Sequence, residues 1–386
     1  MSKEIKKVGL VVMGNISAGG GYPRVVYDLI AVLNEMGKEV YLLTPFKPDY
    51  QKIEQLYGPI KIKKVYTPGK IKSLFCIEDV VRRKLMKKEF RKMANEVDFI
   101  FDICGRIMDK YLPKNFDRDS YVIWALTSLD KGEWKEVNNF GRNLKERIRR
   151  FFMSDKFLPK KDIKIYAIDQ WTGNDLVKKS GLNPDKKCLY PAIQVEELLC
   201  KNNKKKNQII VHGRIDPIKR IEDSINIFYN GTKDNPEYNL VIIGGASPES
   251  ERYMDCLKEI INRLKIQNRI KIIKNPSFEE IKRELLDSKI LIDSERDVNL
   301  TMTSIEAMAA GNIILGYKNS SNYKEILENG KYGYGFENTE EGAEKLKEIL
   351  RGLKERKISN KESVKRSKFF SREKFAERIK GIFGEN

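Results

Sequence analysis

The sequence has a single histidine and no closely spaced pair of cysteines. The histidine is His212, and the five cysteines are Cys76, Cys104, Cys188, Cys200 and Cys256. No two of these cysteines form a C-x-x-C motif, so the sequence gives no indication of a zinc or dithiol site. One histidine also excludes catalytic or metal sites that need two imidazoles. Any catalysis therefore depends on carboxylates, lysines, arginines or backbone amides.

Long apolar runs are also missing. A membrane-spanning helix needs about 20 consecutive apolar residues, whereas the longest apolar run here, residues 8–13, has the length of a strand. The N-terminal Met-Ser-Lys-Glu is not followed by the apolar stretch of a secretory signal. We therefore predict a cytoplasmic protein.

Acidic residues are scarce relative to basic ones, above all in the first half. The chain has 74 Lys/Arg and 55 Asp/Glu, a formal net charge of +19. Residues 1–195 contain 38 of the Lys/Arg but only 24 of the Asp/Glu. A basic surface attracts polyanions such as nucleic acid, anionic lipid headgroups or phosphorylated substrates. A general bias toward Lys and Ile is the alternative explanation.

The hydrophobic pattern of the first half predicts a parallel sheet. An apolar strand at 8–13 leads into a glycine-rich loop at 14–21. A helix follows, with apolar residues recurring at i, i+3 and i+4 from Val25, and then a second strand at 39–43. Strand, loop, helix and strand in this order form the βαβ unit of an α/β fold.

The alternation of strands and helices begins again after the polar residues 201–207. We therefore predict two α/β domains, residues 1–198 and residues 199–369. Ligands of open α/β sheets bind beyond the carboxyl ends of the strands, and a cleft between domains is the usual place for a site.

The glycine-rich loop of the first half places Gly20 and Gly21 ahead of a helix. Glycines let the backbone approach a ligand closely, and a helix N-terminus favours an anion. The dinucleotide fingerprint G-x-G-x-x-G, however, needs a third glycine where Arg24 stands, and an acidic residue where the second strand runs into Thr44 and Pro45. A nicotinamide-dependent dehydrogenase is therefore a poor fit.

Arg214 and Lys219 stand five residues apart in the loop that follows the first strand of the second half. A bidentate guanidinium and a point-charge ammonium near one strand end suit a diphosphate clamp. In a chain with 74 Lys/Arg, two solvated cations are the alternative.

Another anion site is predicted where a polar loop enters a helix near Ser304. The amides of Met302, Thr303 and Ser304 would point at an anion from the helix N-terminus. Glu306 lies in the first turn, where a negative charge favours the helix. A plain helix-start carboxylate is the alternative for Glu306.

Together these segments resemble glycosyltransferase family 4, the retaining enzymes of GT-B fold. The G-R-x4-K pattern at 213–219, the E-A-M-A-A-G run at 306–311 and the G-x-x-G turn at 330–333 are similar to motifs of that family, and Gly20-Gly21 to its N-terminal glycine loop. The resemblance implies an α/β, GT-B architecture of two Rossmann-like parallel-sheet domains facing across a cleft. It also implies that the C-terminal helix, 370–386, packs back onto the N-terminal domain.

The resemblance assigns roles to these residues. Arg214 and Lys219 would neutralise the leaving diphosphate, the amides of the 302–304 helix start would bind its oxygens, and Glu306 would bind the ribose hydroxyls. The implied activity is hexosyl transfer with retention, from a nucleotide-diphosphate donor to a glycan or lipid-linked acceptor. No metal or other cofactor is expected, because the cations and the helix dipole stabilise the leaving group. Backbone groups at 274–276 are expected to recognise the base.

One position departs from the family pattern. In the family's E-x7-E motif the first Glu contacts the donor sugar, but Val298 stands eight residues before Glu306. We expect Asp297, as a catalytic residue, or Glu295 to take this role. The family also often carries a histidine beside the sugar in its N-terminal domain, and Asp102 is our candidate for that acceptor-side neighbourhood.

Two basic segments in the first half concern the acceptor. Residues 80–92 predict a basic helix with an incomplete apolar stripe that ends at Phe90, and residues 142–152 form a second basic run. Basic helices with apolar residues can lie on anionic membranes. We therefore expect a lipid-linked or surface glycan acceptor and a peripheral position on the inner face of the membrane. A solvated helix face is the alternative.

Three other functional classes stay open. A nucleotide-sugar epimerase of the same fold would interconvert its substrate without an acceptor. A catalytically degenerate protein would bind the nucleotide sugar without transfer, which the departure at Val298 allows. A nucleic-acid-binding protein is the least favoured, because no recognised binding motif accompanies the positive charge.

Overall fold

A computed structural model describes residues 4–68, 78–103, 107–127, 159, 162–199, 204–296 and 300–385. The chain divides into two compact units. Unit 1 comprises residues 1–191 and 376–386, and unit 2 comprises residues 192–375. The division thus falls between residues 191 and 192, a few residues before the boundary predicted at 198.

Unit 1 is built on a parallel sheet of six strands in the order β3-β2-β1-β4-β5-β6. The strands are β1 Lys7–Val12, β2 Glu39–Leu43, β3 Lys64–Tyr66, β4 Phe99–Ile103, β5 Tyr121–Ala125 and β6 Lys164–Ala167. Every residue of β4 and β5 is buried. Such continuous apolar runs are typical of parallel strands that helices cover on both faces.

The helices in the described part of unit 1 present apolar faces to this sheet. They are α1 Gly21–Glu35, α2 Tyr50–Tyr57, α3 Glu78–Ala94 and α4 Gln170–Asp175, the last continued by a π-helical turn at Leu176–Ser180. In α1 the buried residues include Val26, Leu29, Ile30 and Leu33, which recur at the spacing of one helix face. The helix predicted after the glycine loop is therefore present.

Unit 2 repeats the same plan. Its sheet has six parallel strands in the order β12-β11-β10-β7-β8-β9. The strands are β7 Gln208–His212, β8 Asn239–Gly244, β9 Ile270–Lys274, β10 Ile290–Asp293, β11 Ile313–Tyr317 and β12 Tyr334–Phe336. The two predicted parallel sheets and the α/β fold class are thus confirmed.

Eight helices of the described part of unit 2 flank this sheet or end the chain. They are α5 Val195–Leu198, α6 Ile221–Gly231, α7 Glu251–Leu264, α8 Phe278–Asp287, α9 Met302–Ala309, α10 Thr339–Lys354, α11 Lys361–Ser367 and α12 Arg372–Phe383. Helix α12 begins in unit 2 and ends in unit 1.

The end of the chain is fixed within unit 1. The ring of Phe383 lies 5.0 Å from that of Phe99 and 5.9 Å from that of Phe101, edge to face. The ammonium of Lys38 donates to Glu385 Oε1 at 2.6 Å and to the carbonyl of Ile5 at 2.8 Å. Aromatic packing and a charged hydrogen bond therefore hold residues 383–385 on unit 1.

Both sheets have the strand order of a Rossmann fold, in which the first and fourth strands of the unit are neighbours. The chain turns in opposite directions from these two strands, which opens a crevice beyond their carboxyl ends. In unit 1 the two strands are β1 and β4, and in unit 2 they are β7 and β10. The glycine loop follows β1, and the predicted diphosphate loop follows β7.

Candidate functional site

The candidate site of unit 2 forms where β7 and β10 end side by side. The two strands pair in parallel, with Ile209 opposite Ile290 and Ile210 opposite Leu291. The chain leaves β7 through Gly213 and Arg214 and leaves β10 through Ser294 and Glu295. Two segments that are 80 residues apart in sequence are therefore neighbours at one edge of the sheet.

Glycines at positions 213 and 244 let the loop lie close to the Lys219 side chain and to β8. The φ of Gly213 is +143°, which side chains rarely adopt, and a Cβ there would lie 2.9 Å from Cε of Lys219. A Cβ on Gly244 would lie 1.6 Å from the carbonyl oxygen of Gly213. The amide of Ile215 donates to the carbonyl of Gly245 at 2.8 Å. The backbone on either side of Arg214 is therefore fixed against the sheet.

The two predicted clamp cations have different environments. The Arg214 side chain is 69% exposed, and its nearest carboxylate, that of Asp216, is 4.0 Å away. Lys219 ends a short 3-10 turn, Pro217–Lys219, and its side chain is only 11% exposed. Its ammonium donates to Glu295 Oε2 in a close contact. Arg214 is thus free to reach an anion in solvent, whereas Lys219 is already paired.

Glu295 is the buried partner in this pair. Its side chain is 5% exposed, and its backbone amide donates to Asp293 Oδ1 at 3.3 Å. Burial raises the pKa of the Glu295 carboxyl, as does the neighbouring Asp293, while Lys219 acts in the opposite direction. Glu295 was predicted, as an alternative to Asp297, to contact the donor sugar, and the structure places its carboxylate on Lys219.

The start of helix α9 is tied to the end of β10 by hydrogen bonds. Asp293 Oδ2 accepts from Ser304 Oγ at 2.8 Å and from Asn322 Nδ2 at 2.7 Å. The amide of Thr301 donates to Asn322 Oδ1 at 3.1 Å. These contacts aim the first turn of α9, with Met302 and Thr303, at the same sheet edge as the β7 loop. An N-terminus placed in this way favours an anion.

Glu306 lies beside the single histidine. Its Oε2 is 3.7 Å from Nδ1 of His212, and the His212 side chain is 8% exposed. Burial, aided by the positive charge of Lys219, lowers the pKa of His212 to about 4. The imidazole is therefore neutral at pH 7, and its buried Nδ1 has no hydrogen-bond partner among the described residues.

Sequence reasoning missed three residues of this site: His212, Asp293 and Asn322. His212 and Asp293 are the last residues of β7 and β10, and polar residues at the end of an apolar strand were the available signal. Asn322 had no such signal, because it reaches α9 from a separate turn.

The segment that carries Asp297 and Val298 lies outside the described residues, so the roles predicted there stay predictions. The residue before it, Arg296, is firmly held. Its Nη2 donates to Asp223 Oδ2 at 2.9 Å, and its guanidinium lies 4.9 Å from the centre of the Tyr317 ring. The segment therefore starts from a fixed point.

In unit 1 the predicted glycines form the start of α1. Gly20 has a φ of +120°, and Gly21 is the first residue of the helix. The hydroxyl of Tyr57 donates to the carbonyl of Ala18 at 3.0 Å. Arg24, which occupies the third fingerprint position, donates to Asp28 Oδ2 at 2.9 Å. This part of the loop is held by contacts within unit 1.

Asp102 lies within β4 and is 1% exposed. Its Oδ2 accepts a hydrogen bond from the amide of Met108 at 3.1 Å and a close one from the Tyr121 hydroxyl. Burial raises the pKa of Asp102 to about 7. The side chain predicted for the acceptor side thus belongs to a buried hydrogen-bond cluster.

The helix predicted at 80–92 is present as α3, and its residues divide by burial. Met86, Phe90 and Met93 are buried in the core of unit 1. The opposite side has a groove lined by Lys87, Lys88, Arg91, Lys92 and Asn95. Phe90, the last residue of the predicted apolar stripe, therefore faces the protein and not the solvent. The second basic run, 142–152, lies outside the described residues.

In the described part of the chain, none of the helices has the length and apolarity needed to cross a bilayer. No group of three or more His, Cys, Asp or Glu side chains in the same part is arranged to hold a metal ion.

A family model of glycosyl transferases, group 1, matches residues 199–366. This range is most of unit 2 and less than half of the chain. The sequence matches no curated protein.

Solved structures of glycosyltransferases match nearly the whole chain. HepE from Anabaena in complex with UDP is 13% identical, with a TM-score of 0.70 over 98% of this chain and 100% of that one. Sucrose-phosphate synthase from Thermosynechococcus elongatus is 12% identical, with a TM-score of 0.72 over 98% of each chain. A glycosyltransferase from Rickettsia africae is 15% identical, with a TM-score of 0.72 and the same coverage. At such identities the likeness concerns the fold, which is the two-domain α/β fold of GT-B glycosyltransferases.

Proposed function

We propose that the chain is a glycosyltransferase that moves a sugar from a nucleotide-diphosphate donor bound at the sheet edge of unit 2. The observation that carries this proposal is the convergence of the Gly213-Arg214 loop, Lys219 and the N-terminus of α9 at the ends of β7 and β10. The family model covers this region. The similar HepE structures contain UDP and UDP-glucose.

The proposed reaction releases a diphosphate, so the site must stabilise the negative charge that develops on it. The exposed guanidinium of Arg214 reaches the phosphates from solvent, and Lys219 contributes a second, less exposed cation. The N-terminus of α9 adds partial positive charge along the same edge. Glu306 accepts hydrogen bonds from the ribose hydroxyls. No metal ion is needed in this scheme.

The sugar and the acceptor complete the proposal. We assign contact with the donor sugar to Asp297 and propose that a hexosyl group is transferred with retention of anomeric configuration. The acceptor is a lipid-linked or surface glycan at the inner face of a membrane. The cationic groove of α3 favours this choice, because anionic lipid headgroups attract Lys and Arg side chains.

Nucleotide binding and sugar transfer test the donor site directly. We expect UDP, GDP or ADP to raise the melting temperature, since a ligand at 100 times its Kd stabilises by about 2.7 kcal/mol. Arg214→Ala should lower kcat with the matching nucleotide sugar by about 100-fold or more, because it removes a donor to the leaving group. Glu306→Ala should weaken nucleotide binding by about tenfold or more, because it removes charged hydrogen bonds.

Matched surface variants serve as controls for these effects. Lys258→Ala and Glu348→Ala remove charges that are 56% and 55% exposed within helices α7 and α10 of unit 2. Both should leave binding and kcat unchanged. Unaltered activity in Arg214→Ala and Glu306→Ala would show the site assignment to be wrong. Interconversion of the donor without an acceptor would show an epimerase instead.

A further inference from the structure

The contact between Lys219 and Glu295 places a carboxylate inside the proposed diphosphate site. Both side chains are nearly buried, and Cε of Lys219 lies 2.9 Å from where a Cβ on Gly213 would be. The backbone of Glu295 is held in turn by the bond from its amide to Asp293 Oδ1. The carboxylate is therefore a buried neighbour of any anion that arrives at Lys219.

Among the described residues, the charges that act on Glu295 come from two segments. From the β7 loop come Lys219 and Arg214, both positive, and from the end of β10 comes the negative Asp293. Lys219 also acts on the neutral His212, and the carboxylate of Glu306 lies 3.7 Å from Nδ1 of that imidazole. Burial already raises the pKa of Glu295. One further negative group in this neighbourhood favours the neutral acid.

We propose that Glu295 takes up a proton from solvent when the diphosphate of the donor binds to Lys219, so that donor binding and protonation of Glu295 are linked. This inference rests on the proposed function. A diphosphate shares the ammonium with Glu295, and two anions held by one buried cation repel each other. Protonation of Glu295 removes this repulsion and leaves the full charge of Lys219 to the phosphates. When the diphosphate leaves, the proton returns to solvent.

The proposed linkage fixes the direction in which the nucleotide affinity changes with pH. The free protein holds Glu295 with a lower pKa than the nucleotide complex does. Between these two pKa values each binding event consumes a proton, so the affinity falls by up to about tenfold per pH unit as the pH rises. Below the window Glu295 is neutral in both states, and above it Glu295 is charged in both, so the affinity no longer depends on this group.

Calorimetry with UDP, GDP and ADP at pH 7, in two buffers of different ionisation enthalpy, counts the protons taken up. We expect uptake of a fraction of a proton, up to one, by the wild type. Glu295→Gln keeps an acceptor for Lys219 but cannot be protonated. The number of protons that this variant takes up on binding should therefore fall to the contribution of the nucleotide phosphate. The ratio of its affinity to that of the wild type should rise between pH 6 and pH 8. Titration of the nucleotide phosphate cancels in this ratio.

Two further variants separate the possible origins of a proton. Glu295→Asp retains a carboxylate and should retain the uptake, and thermal unfolding shows whether each variant is folded. His212→Gln should leave the uptake intact. Uptake that survives in Glu295→Gln but disappears in His212→Gln would overturn the proposal, as would a proton count on binding that is the same in the wild type and in Glu295→Gln. Failure of all three nucleotides to bind would overturn the proposed donor site itself, and the linkage with it.

Discussion

At the scale of single residues, Asp102 shows how burial in the core of unit 1 raises the pKa of a carboxyl group. Its pKa, about 7 in the fold, lies well above the value of about 3.9 in an unfolded chain. Between these values the folded protein keeps a proton that the unfolded chain releases. Stability must therefore fall as the pH rises from about 4 to 7, by up to about 4 kcal/mol, and level off above pH 7.

Replacing Asp102 by Asn should remove this dependence. The amide oxygen can still accept from the Met108 amide and the Tyr121 hydroxyl, but the side chain does not titrate. We expect the urea midpoint of Asp102→Asn to fall less than that of the wild type between pH 5 and pH 8. Asp119→Asn, at a position 78% exposed, is the control and should follow the wild type. An equal fall in Asp102→Asn would contradict the assignment.

The residue scale also shows why parts of the site were predictable. Arg214, Lys219 and Glu306 were named as candidates because loop cations and helix-start carboxylates leave a local pattern of spacing. The buried partner of Lys219 left no such pattern. Glu295 was named beside Asp297 as a candidate contact for the donor sugar, because the sequence does not record which side chain the fold buries against which.

At the scale of elements, α3 illustrates how packing decides which side chains of a basic helix can contact a membrane. The sequence alone allowed an interfacial helix that inserts apolar residues into a bilayer. The structure buries Phe90 and leaves the cationic groove at the surface. Any binding of this part of α3 to a membrane must therefore be electrostatic and sensitive to salt.

We expect the protein to sediment with anionic liposomes at low salt and to be released at high salt. Each Lys near a membrane surface contributes about 1 kcal/mol. The double variant Lys88→Gln/Lys92→Gln should therefore weaken binding by about 2 kcal/mol, or about 30-fold. Lys345→Gln/Lys347→Gln removes the same charge from α10 of unit 2 and should have little effect. Equal losses in both double variants would indicate a general effect of net charge and would exclude a specific role of α3.

At the scale of the whole molecule, the unfolding of unit 1 can be measured separately from that of unit 2. Trp124 and Trp171 belong to unit 1, and the sequence of unit 2 contains no tryptophan. Tryptophan fluorescence therefore reports the unfolding of unit 1. Residues 376–386 belong to the same unit although they follow all of unit 2 in sequence. Unit 1 is thus complete only when the end of the chain has been made.

Phe383→Ala tests the contribution of this C-terminal segment. The ring packs against Phe99 and Phe101, so its loss should destabilise unit 1 by about 3 kcal/mol, a typical cost for removing a buried Phe. The midpoint of the tryptophan transition should move to lower urea. Phe369→Ala, at a position 40% exposed in unit 2, should leave that transition in place. An unchanged midpoint in Phe383→Ala would show that the segment adds nothing to unit 1.

The sequence by itself determined the parallel sheets, the start of α1 and the order of the segments proposed to bind the diphosphate. These features depend on local periodicity and on glycine, whose backbone freedom acts at its own position. The tertiary structure alone decided which charges meet. Lys205, in a stretch that looked like a polar linker, donates to the carbonyls of Ser288 at 2.7 Å and Ala310 at 2.8 Å. Glu295 likewise meets Lys219 only because β10 pairs with β7, and contacts between distant segments leave no periodicity in the sequence.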